Sequence, residues 1–289
     1  MPLNIGAHMP ISGGLHKAIE RIQLAEGHAL QIFTRNQRQW KVPELRGEEI
    51  HDFFMARMKW GEYPIIAHDS YLVNLASPKG DLVKKSIEAM AAEMQRVDGL
   101  DIPILVTHPG AHIGQGIEQG LTTYAANLDR VIELSETKRP DIMLETTAGQ
   151  GTVLGSRFEE LARIMELSKH PRRLYVCLDT CHAFAAGYDF RTEQAYEKTM
   201  AEFDRIIGLE RLAVLHLNDS KHGLGSRKDR HEHIGQGELG DTAFSLFVND
   251  PRLQSKFMII ETPKDAKDKL FTLDKNNIAR LRNMAAGRG

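Results

Sequence analysis

The sequence predicts an α/β protein in which eight parallel strands close into one (β/α)8 barrel. Three observations support this prediction. Short apolar runs recur along the chain, and the polar residues that close them are spaced by 26 to 45 residues. Most runs are apolar on both faces, as strands buried in a parallel sheet are. Helical segments separate the runs, and 289 residues suit a single barrel of this kind. We therefore expect residues 1–289 to form one domain.

The candidate strands are short runs that lack the 3.6-residue period of an amphipathic helix. Each ends abruptly at a polar residue, which marks the point where a buried strand would reach the surface. The predicted strands are 3–7, 29–33, 65–67, 104–107, 142–144, 174–178, 212–215 and 257–260.

Good helix formers with helical periodicity fill the spaces between strands. The clearest predicted helices are 82–97, 124–135, 157–167 and 194–207. No glycine-rich phosphate turn follows the first strand, which favours the barrel over an open doubly wound sheet, the second-ranked fold. The loops after the second and seventh strands are long and polar, and the latter covers residues 217–240.

Composition excludes several classes of protein. The chain is 42% hydrophobic and 26% charged, which is typical of a globular protein and not of a disordered or collagen-like one. Its net charge is -2, so a nucleic-acid partner would have to be bound locally rather than by a general basic field. Two cysteines and the lack of a leader or long apolar run predict a cytoplasmic protein with no membrane partner.

The residues that follow the strands carry the chemistry. In a barrel, the carboxyl ends of all parallel strands meet on one face, where active sites lie. A lone histidine there is usually a cap or a surface residue, but six of the eight strands, the third to the eighth, end at a His, Asp or Glu that we count as a candidate ligand, and three more such residues follow in the loops. This set suits zinc or a similar divalent ion, and its size indicates about three ions with one bridging carboxylate. The nine residues are His68, His108, Glu145, Asp179, His182, His216, Asp229, His231 and Glu261.

A site for several metals predicts hydrolysis of a phosphodiester, because paired ions stabilise both oxygens of an in-line displacement. The loop after the second strand, TRNQRQW at 34–40, combines guanidinium, amide and indole groups that suit phosphate contact and base stacking. Arg227, Lys228 and Arg230 add positive charge after the seventh strand. The alternative for both loops is a solvated polar surface.

Several motifs together resemble the endonuclease IV family of apurinic/apyrimidinic endonucleases, over nearly the whole chain. They are Gly6-Ala7-His8, FTRNQRQW at 33–40, His68-Asp69-Ser70-Tyr71, His108-Pro109-Gly110, Glu145 with TAGQG at 147–151, CLDTCHAFAAGYD at 177–189, HLNDSK at 216–221, GSRKDRHEHIGQG at 225–237 and Ile260-Glu261-Thr262. The resemblance implies a TIM barrel with its active site at the carboxyl ends of the strands. It also implies double-stranded DNA with abasic sites as substrate. Cleavage 5′ to the abasic site would leave a 3′-hydroxyl and a 5′-deoxyribose phosphate, in base excision repair.

The resemblance further implies three zinc ions, with manganese as an alternative at one or more sites. By this likeness, His68 and His108 hold one zinc, Glu145 bridges to a second that Asp179, His216 and Glu261 complete, and His182, Asp229 and His231 hold the third. Two departures from the family pattern stand near these ligands: Thr146 replaces an expected Asn, and Met9-Pro10 replaces a Ser-containing stretch.

Candidate roles follow for individual side chains. Glu145 and Glu261 are the predicted catalytic carboxylates. Arg38 and Tyr71 are predicted to enter the DNA helix as a wedge beside the abasic nucleotide. Further predicted DNA contacts are Arg35, Gln37, Arg227 and Arg230.

Two other function classes remain open from the sequence. A sugar isomerase or epimerase of the same barrel superfamily would use Glu145, Asp179, His216 and Glu261 but leave the other five ligands without a role. A non-enzymatic DNA-binding module would predict excess basic charge or a groove-reading motif, and the sequence has neither. No nucleotide cofactor is predicted, because the glycine pairs lack the accompanying Lys-Ser/Thr, and no obligate protein partner is evident. Contact with DNA would place the protein at the nucleoid.

Overall fold

The computed structural model describes residues 3–61 and 63–287, so residues 1, 2, 62, 288 and 289 of the predicted domain lie outside the described ranges. Eight parallel strands close into a barrel, which confirms the predicted fold and excludes the open sheet. Around the barrel these strands are β1 (Asn4–His8), β2 (Leu30–Ile32), β3 (Ile65–His68), β4 (Ile104–Thr107), β5 (Asp141–Glu145), β6 (Leu174–Asp179), β7 (Leu212–His216) and β10 (Phe257–Ile260).

Helices follow the strands, as the periodicity predicted. Within the described residues they are α1 (Leu15–Leu24), α2 (Gly47–Trp60), α3 (Gly80–Gly99), α4 (Ile117–Ser135), α5 (Phe158–Leu167), α6 (Thr180–Ala186), α7 (Glu193–Ile206), α8 (Gly240–Asn249) and α9 (Thr272–Ala285). None of these helices has the length and apolar character needed to cross a membrane.

The loop after β7 contains structure that the sequence did not predict. Residues 217–240 include a short antiparallel pair, β8 (Asp219–Ser220) and β9 (His231–Glu232). The Asp219 carboxylate accepts backbone N–H bonds from Ser220, Gly237 and Leu239, at 2.8 to 2.9 Å. These bonds fold the segment back onto the barrel rim and carry Asp229 and His231 toward the strand ends.

Two apolar layers form the core. The larger layer lies between the strands and the surrounding helices. The smaller one fills the barrel interior and consists of Ala29, Ile66, Ile104, Val106, Met143, Cys177, Val214 and Ile259. Because side chains alternate across a strand, a residue two positions after an interior one also points into the barrel. The last interior position of each strand therefore lies at the carboxyl end, above the apolar layer.

Candidate active site

A polar layer covers the apolar interior at the carboxyl ends of the strands, and strand alternation produces it. Each member follows an interior apolar side chain by two residues: His68 follows Ile66, and Glu145 follows Met143. The same step leads to four more predicted ligands, which are His108, Asp179, His216 and Glu261. The barrel geometry therefore brings together six side chains that are far apart in the chain.

Two histidines converge on one oxygen of Glu145. The Nε2 atoms of His68 and His108 each lie 3.1 Å from Glu145 Oε2. Glu145 and His68 are buried, whereas the His108 side chain is 29% exposed. This first group is thus open to solvent on the side of β4.

The other oxygen of Glu145 belongs to a second group. His216 Nδ1 lies 3.1 Å from Glu145 Oε1, 3.3 Å from Glu261 Oε2 and 3.8 Å from Asp179 Oδ2. Glu145 and Asp179 are buried and Glu261 is 14% exposed, and three carboxylates so close together repel one another unless a cation or protons offset their charge. Glu145 is shared by the two groups, one oxygen facing each, which is the arrangement of a bridging carboxylate.

A third group lies over α6 and the β8–β9 hairpin. His182 Nε2 and His231 Nε2 lie 3.2 and 3.4 Å from Asp229 Oδ1. Both nitrogens are buried and make no hydrogen bond. Two imidazole nitrogens without partners, aimed at one carboxylate, form a donor set that a divalent cation fits.

Backbone carbonyls orient three of these imidazoles through their other ring nitrogen. His68 Nδ1 lies 2.7 Å from Asp69 O, and His182 Nδ1 lies 2.9 Å from Thr146 O. His231 Nδ1 lies 3.1 Å from the carbonyl of Glu261. In each case Nδ1 donates its proton to the carbonyl, so the lone pair of Nε2 faces the carboxylates, as a metal-binding histidine requires.

Thr146, where the family likeness led us to expect Asn, contributes to the same frame. Its hydroxyl accepts a hydrogen bond from the Asp179 backbone N–H at 2.9 Å and so joins the ends of β5 and β6. Its carbonyl orients His182. The side chain at this position therefore contacts the backbone of Asp179 and not its carboxylate, and it fixes the ends of two strands that carry ligands.

The charges of the site shift the pKa values of its members in opposite directions. Burial alone would raise the pKa of Glu145, but His108 and His216 hold it well below its usual range. Burial would lower the pKa of His182, but Asp179 and Asp229 hold it well above. In Asp229, the opposing effect of burial is outweighed by His182, which lowers the pKa to about 2. Without a metal, protons on the imidazoles thus offset the carboxylate charge.

All nine predicted ligands lie in these three groups, and within each group the ligand atoms lie within 4.8 Å of one another. The chemistry of the groups, with imidazoles and carboxylates only, suits zinc or a similar borderline ion. Cys177 and Cys181 also approach the ligands, but both are buried and burial raises the pKa of each thiol to about 12. Neither offers a ready thiolate.

Tyr71 and Arg38 reach the rim above the first group. The Tyr71 ring lies 5.7 Å from His68 and 5.8 Å from His108, centre to centre, yet 63% of the residue is exposed. Arg38 is exposed in the loop after β2. In the same loop, the Gln37 carbonyl accepts a hydrogen bond from the Ser70 hydroxyl at 2.7 Å, which ties the loop to the one that carries Tyr71.

Arg35 does not lie where a DNA contact requires it, and this prediction needs correction. Its side chain is 3% exposed, and Nε donates to Glu93 Oε2 at 2.8 Å. Nη1 donates to the Gln39 carbonyl within the same loop. A buried guanidinium keeps such partners because an unpaired charge there is costly. Arg35 therefore holds the loop in shape and presents no charge to a phosphate.

The predicted contacts after β7 are on the surface. Arg227 and Arg230 are exposed, and the Arg227 backbone N–H donates to the Ala185 carbonyl at 2.9 Å. The backbone N–H of Asp229, between them, donates to Gln150 Oε1 in the loop after β5. Both guanidinium groups thus stand at the same rim as the third group.

Sequence reasoning missed two buried polar residues of the site, Gln31 and Asn218. Gln31 contacts His216 and Glu261, and beside it His8 Nδ1 lies 3.4 Å from Glu261 Oε1. Asn218 donates to Asp179 Oδ2 and accepts from the Glu261 N–H. A single polar residue inside the apolar run 29–33 was the signal for Gln31.

Comparison with known proteins agrees with this geometry. A family model described as a xylose isomerase-like TIM barrel matches residues 19–284. A Chloroflexus aggregans protein named probable endonuclease 4 is 51% identical over 279 residues, which cover 96% of each chain. The structure of endonuclease IV from Thermus thermophilus is 34% identical, with a TM-score of 0.86 over 98% of this chain and 99% of that one.

A D-tagatose 3-epimerase-like protein is 19% identical, with a TM-score of 0.71 over 98% of this chain and 99% of that one, and so shares the fold. Identity near one half over almost the full length separates the endonuclease relatives from this wider group. The chain therefore belongs to the endonuclease IV family of nucleases, within the xylose isomerase-like TIM barrels.

Proposed function

We propose that this protein hydrolyses the phosphodiester bond on the 5′ side of abasic sites in double-stranded DNA. The products would be a 3′-hydroxyl and a 5′-deoxyribose phosphate, as base excision repair requires. The observation that carries the proposal is the convergence of three ligand groups, two of which share Glu145, on an exposed barrel rim. The whole chain would act as one unit, in the cytoplasmic compartment that holds the DNA.

The three groups would each hold one divalent ion, and we propose zinc, with manganese as an alternative at one or more sites. His68, His108 and Glu145 would hold the first, Glu145 with Asp179, His216 and Glu261 the second, and His182, Asp229 and His231 the third. Ions in such a cluster acidify a water near neutral pH and offset charge on the phosphate during displacement.

The side chains of the protein have separate tasks in this reaction. Glu145 fixes the spacing of two groups through its two carboxylate oxygens. Glu261 stands at the barrel centre, where it contacts His216 and is only 14% exposed. Both carboxylates would orient the attacking water, because each keeps a fixed position and a lowered pKa. The exposed edge at His108 would receive the phosphate.

DNA recognition would come from the rim loops. A cavity of about 210 Å³ lies beside His68 and His108, and Tyr71 lines its edge. An abasic nucleotide lacks base stacking, so its rotation out of the helix costs less than that of an intact nucleotide. Arg38 and Tyr71 would fill the space left in the duplex, while Gln37, Arg227 and Arg230 contact the backbone.

The epimerase interpretation accounts for less of the structure. It would use the second group and leave His68, His108, His182, Asp229 and His231 without a task. Those five residues belong to the first and third groups, whose ligand atoms lie as close together as those of the second group. The similarity to epimerases extends only to the fold.

A cleavage assay tests the proposal. The purified protein should nick a duplex with one abasic site and leave the matched undamaged duplex intact, with end analysis showing a 3′-hydroxyl. Glu261→Gln should lower kcat by about 10² or more, because a transition-state interaction is lost, while duplex binding persists.

Glu238→Gln, an exposed carboxylate that belongs to none of the three ligand groups, serves as the control and should cleave normally. Metal analysis should give about three zinc ions per chain. Absence of nicking in the zinc-loaded protein, or normal turnover in Glu261→Gln, would contradict the proposal.

A further inference from the structure

Gln31 is a buried amide at the centre of the site. It lies on β2 next to His8 of β1, its partner in the strand register, and both side chains point into the barrel. The two strands come unusually close here, since a Cβ on Gly6 would lie 1.6 Å from the Ala29 carbonyl oxygen. Gln31 therefore packs closely against β1 and has no exposed surface.

The side chain of Gln31 uses its acceptor and both of its donors. His216 Nε2 donates to Gln31 Oε1 at 2.8 Å. Gln31 Nε2 donates to Glu261 Oε1 at 2.7 Å and to His8 Nδ1 at 3.0 Å. Rotation of the amide by half a turn would place its oxygen against the Glu261 carboxylate and its NH2 group against the His216 N–H. The network therefore permits a single amide orientation.

His216 differs from His68, His182 and His231 in what orients it. His68, His182 and His231 donate their remote N–H to backbone carbonyls, which no substitution removes. His216 instead depends on the side chain of Gln31. Its Nδ1 faces Glu145 and Glu261, so a neutral ring protonated at Nε2 is needed for Nδ1 to act as a ligand.

We infer that Gln31 is a positioning residue for the second ligand group. It fixes His216 as the Nε2-protonated tautomer and holds Glu261 toward the cluster, and His8 anchors the amide from behind. The inference rests on the proposed function only in assigning His216 and Glu261 to a metal. Partners of this kind behind a metal ligand typically change metal affinity by about 10- to 100-fold.

Zinc affinity of the whole chain, measured by competition with a chromogenic chelator, tests the role of Gln31. Gln31→Met keeps the length of the side chain and removes all three hydrogen bonds. We expect the affinity of one zinc ion to fall by about 10-fold or more, and kcat on abasic duplex to fall with little change in KM. Asn127→Leu is the matched control, because it removes a buried amide bond, to the Leu75 carbonyl, away from the ligands.

If Gln31 has only a structural role, Gln31→Met and Asn127→Leu should both lower the unfolding temperature. The affinity for each zinc ion should then stay within about two-fold of that of the unaltered chain, and this result would overturn the inference. If Gln31→Met does not fold, Gln31→Leu replaces it. That variant also removes all three hydrogen bonds, so the affinity of one zinc ion should again fall by about 10-fold or more, and an unchanged affinity would overturn the inference. The zinc-affinity comparison needs no DNA, so its outcome does not depend on the proposed function. The proposed function would be refuted separately if the unaltered chain bound zinc but did not cleave abasic DNA.

Discussion

Tyr71 occupies an uncommon position for an aromatic residue, because one edge packs at the site while most of the ring is exposed. Its ring contacts Phe33 and the two histidines of the first group. Packing on that side fixes the direction of the ring, and 63% exposure leaves the rest free for a partner. An exposed aromatic held in this way is suited to stacking in a gap between bases.

Replacement of Tyr71 by Ala should weaken binding to an abasic duplex by about 5- to 150-fold, since a stacking contact is worth about 1–3 kcal/mol. Binding to undamaged duplex should change little, because that duplex has no gap to fill. Arg38→Ala should behave in the same way. Affinities for the two duplexes, measured across a salt series with zinc content checked, provide the comparison.

Lys228→Ala is the control for Tyr71→Ala and Arg38→Ala, because Lys228 is an exposed charge in the loop after β7. It should weaken binding to both duplexes by similar factors and reduce the salt dependence. If Tyr71→Ala and Arg38→Ala show that pattern as well, these residues contact phosphates and do not act as a wedge.

The loop after β2 is the element most dependent on buried charge. Glu93 of α3 accepts hydrogen bonds from Thr34 and Arg35, and its side chain is 2% exposed. Arg96, one turn further along α3, donates to the carbonyls of Thr34 and Pro43. Two residues of one helix thus hold both ends of the loop that presents Arg38.

Glu93→Gln should destabilise the protein by about 3–5 kcal/mol, because it leaves the Arg35 guanidinium buried without its counter-charge. It should also weaken binding to abasic duplex, since the loop loses its fixed shape, while zinc content stays the same. Denaturant unfolding and duplex binding measure the two effects.

The exposed pair Lys17–Glu20 gives the comparison, with side chains 41% and 50% exposed. Glu20→Gln should cost less than about 1 kcal/mol, as surface pairs do. A Glu93→Gln protein as stable as Glu20→Gln, with normal duplex binding, would show that the buried pair does not shape the loop.

At the scale of the whole molecule, the barrel centre concentrates negative charge. Glu145, Asp179 and Glu261 crowd around His216 with little or no exposure. In the metal-free protein, burial would lower the pKa of His182, but Asp179 outweighs burial and raises this pKa well above its usual range. The pKa of His216 is raised as well: burial opposes the shift, and the carboxylates Glu261 and Glu145 outweigh it.

Removal of metal should lower the unfolding temperature by on the order of 10 °C, because the ions bind the folded state and offset the carboxylates. The difference in unfolding temperature between loaded and metal-free protein should widen as pH rises above about 6.5. A histidine with a raised folded pKa stabilises fully below its unfolded pKa of about 6.5, and this contribution is lost as pH rises through the folded value.

Scanning calorimetry of both forms at several pH values measures this difference. The lowered pKa values of Glu145 and Glu261 matter only in acid, so they do not disturb the comparison above about pH 6. If the difference in unfolding temperature between the two forms stays constant or narrows as pH rises, His182 and His216 carry no charge in the metal-free protein.

Particular residues show how far prediction from the sequence extends. His68 and Glu145 could be assigned to the site because each closes an apolar run, and a parallel barrel has only one face for such ends. Arg35 could not be placed correctly, since an arginine in a polar loop looks the same in sequence whether its partner is a phosphate or Glu93, 58 positions away. Gln31 was hidden within a strand for a similar reason.

The sequence by itself determined the eight strands and the side chains at their carboxyl ends, because apolar runs and alternation are local patterns. Tertiary structure alone decided that the sheet closes, which arginines reach the rim and how His216 is oriented by Gln31. Those outcomes depend on contacts between strands and helices distant in sequence, and no local periodicity encodes the partner of a buried charge or amide.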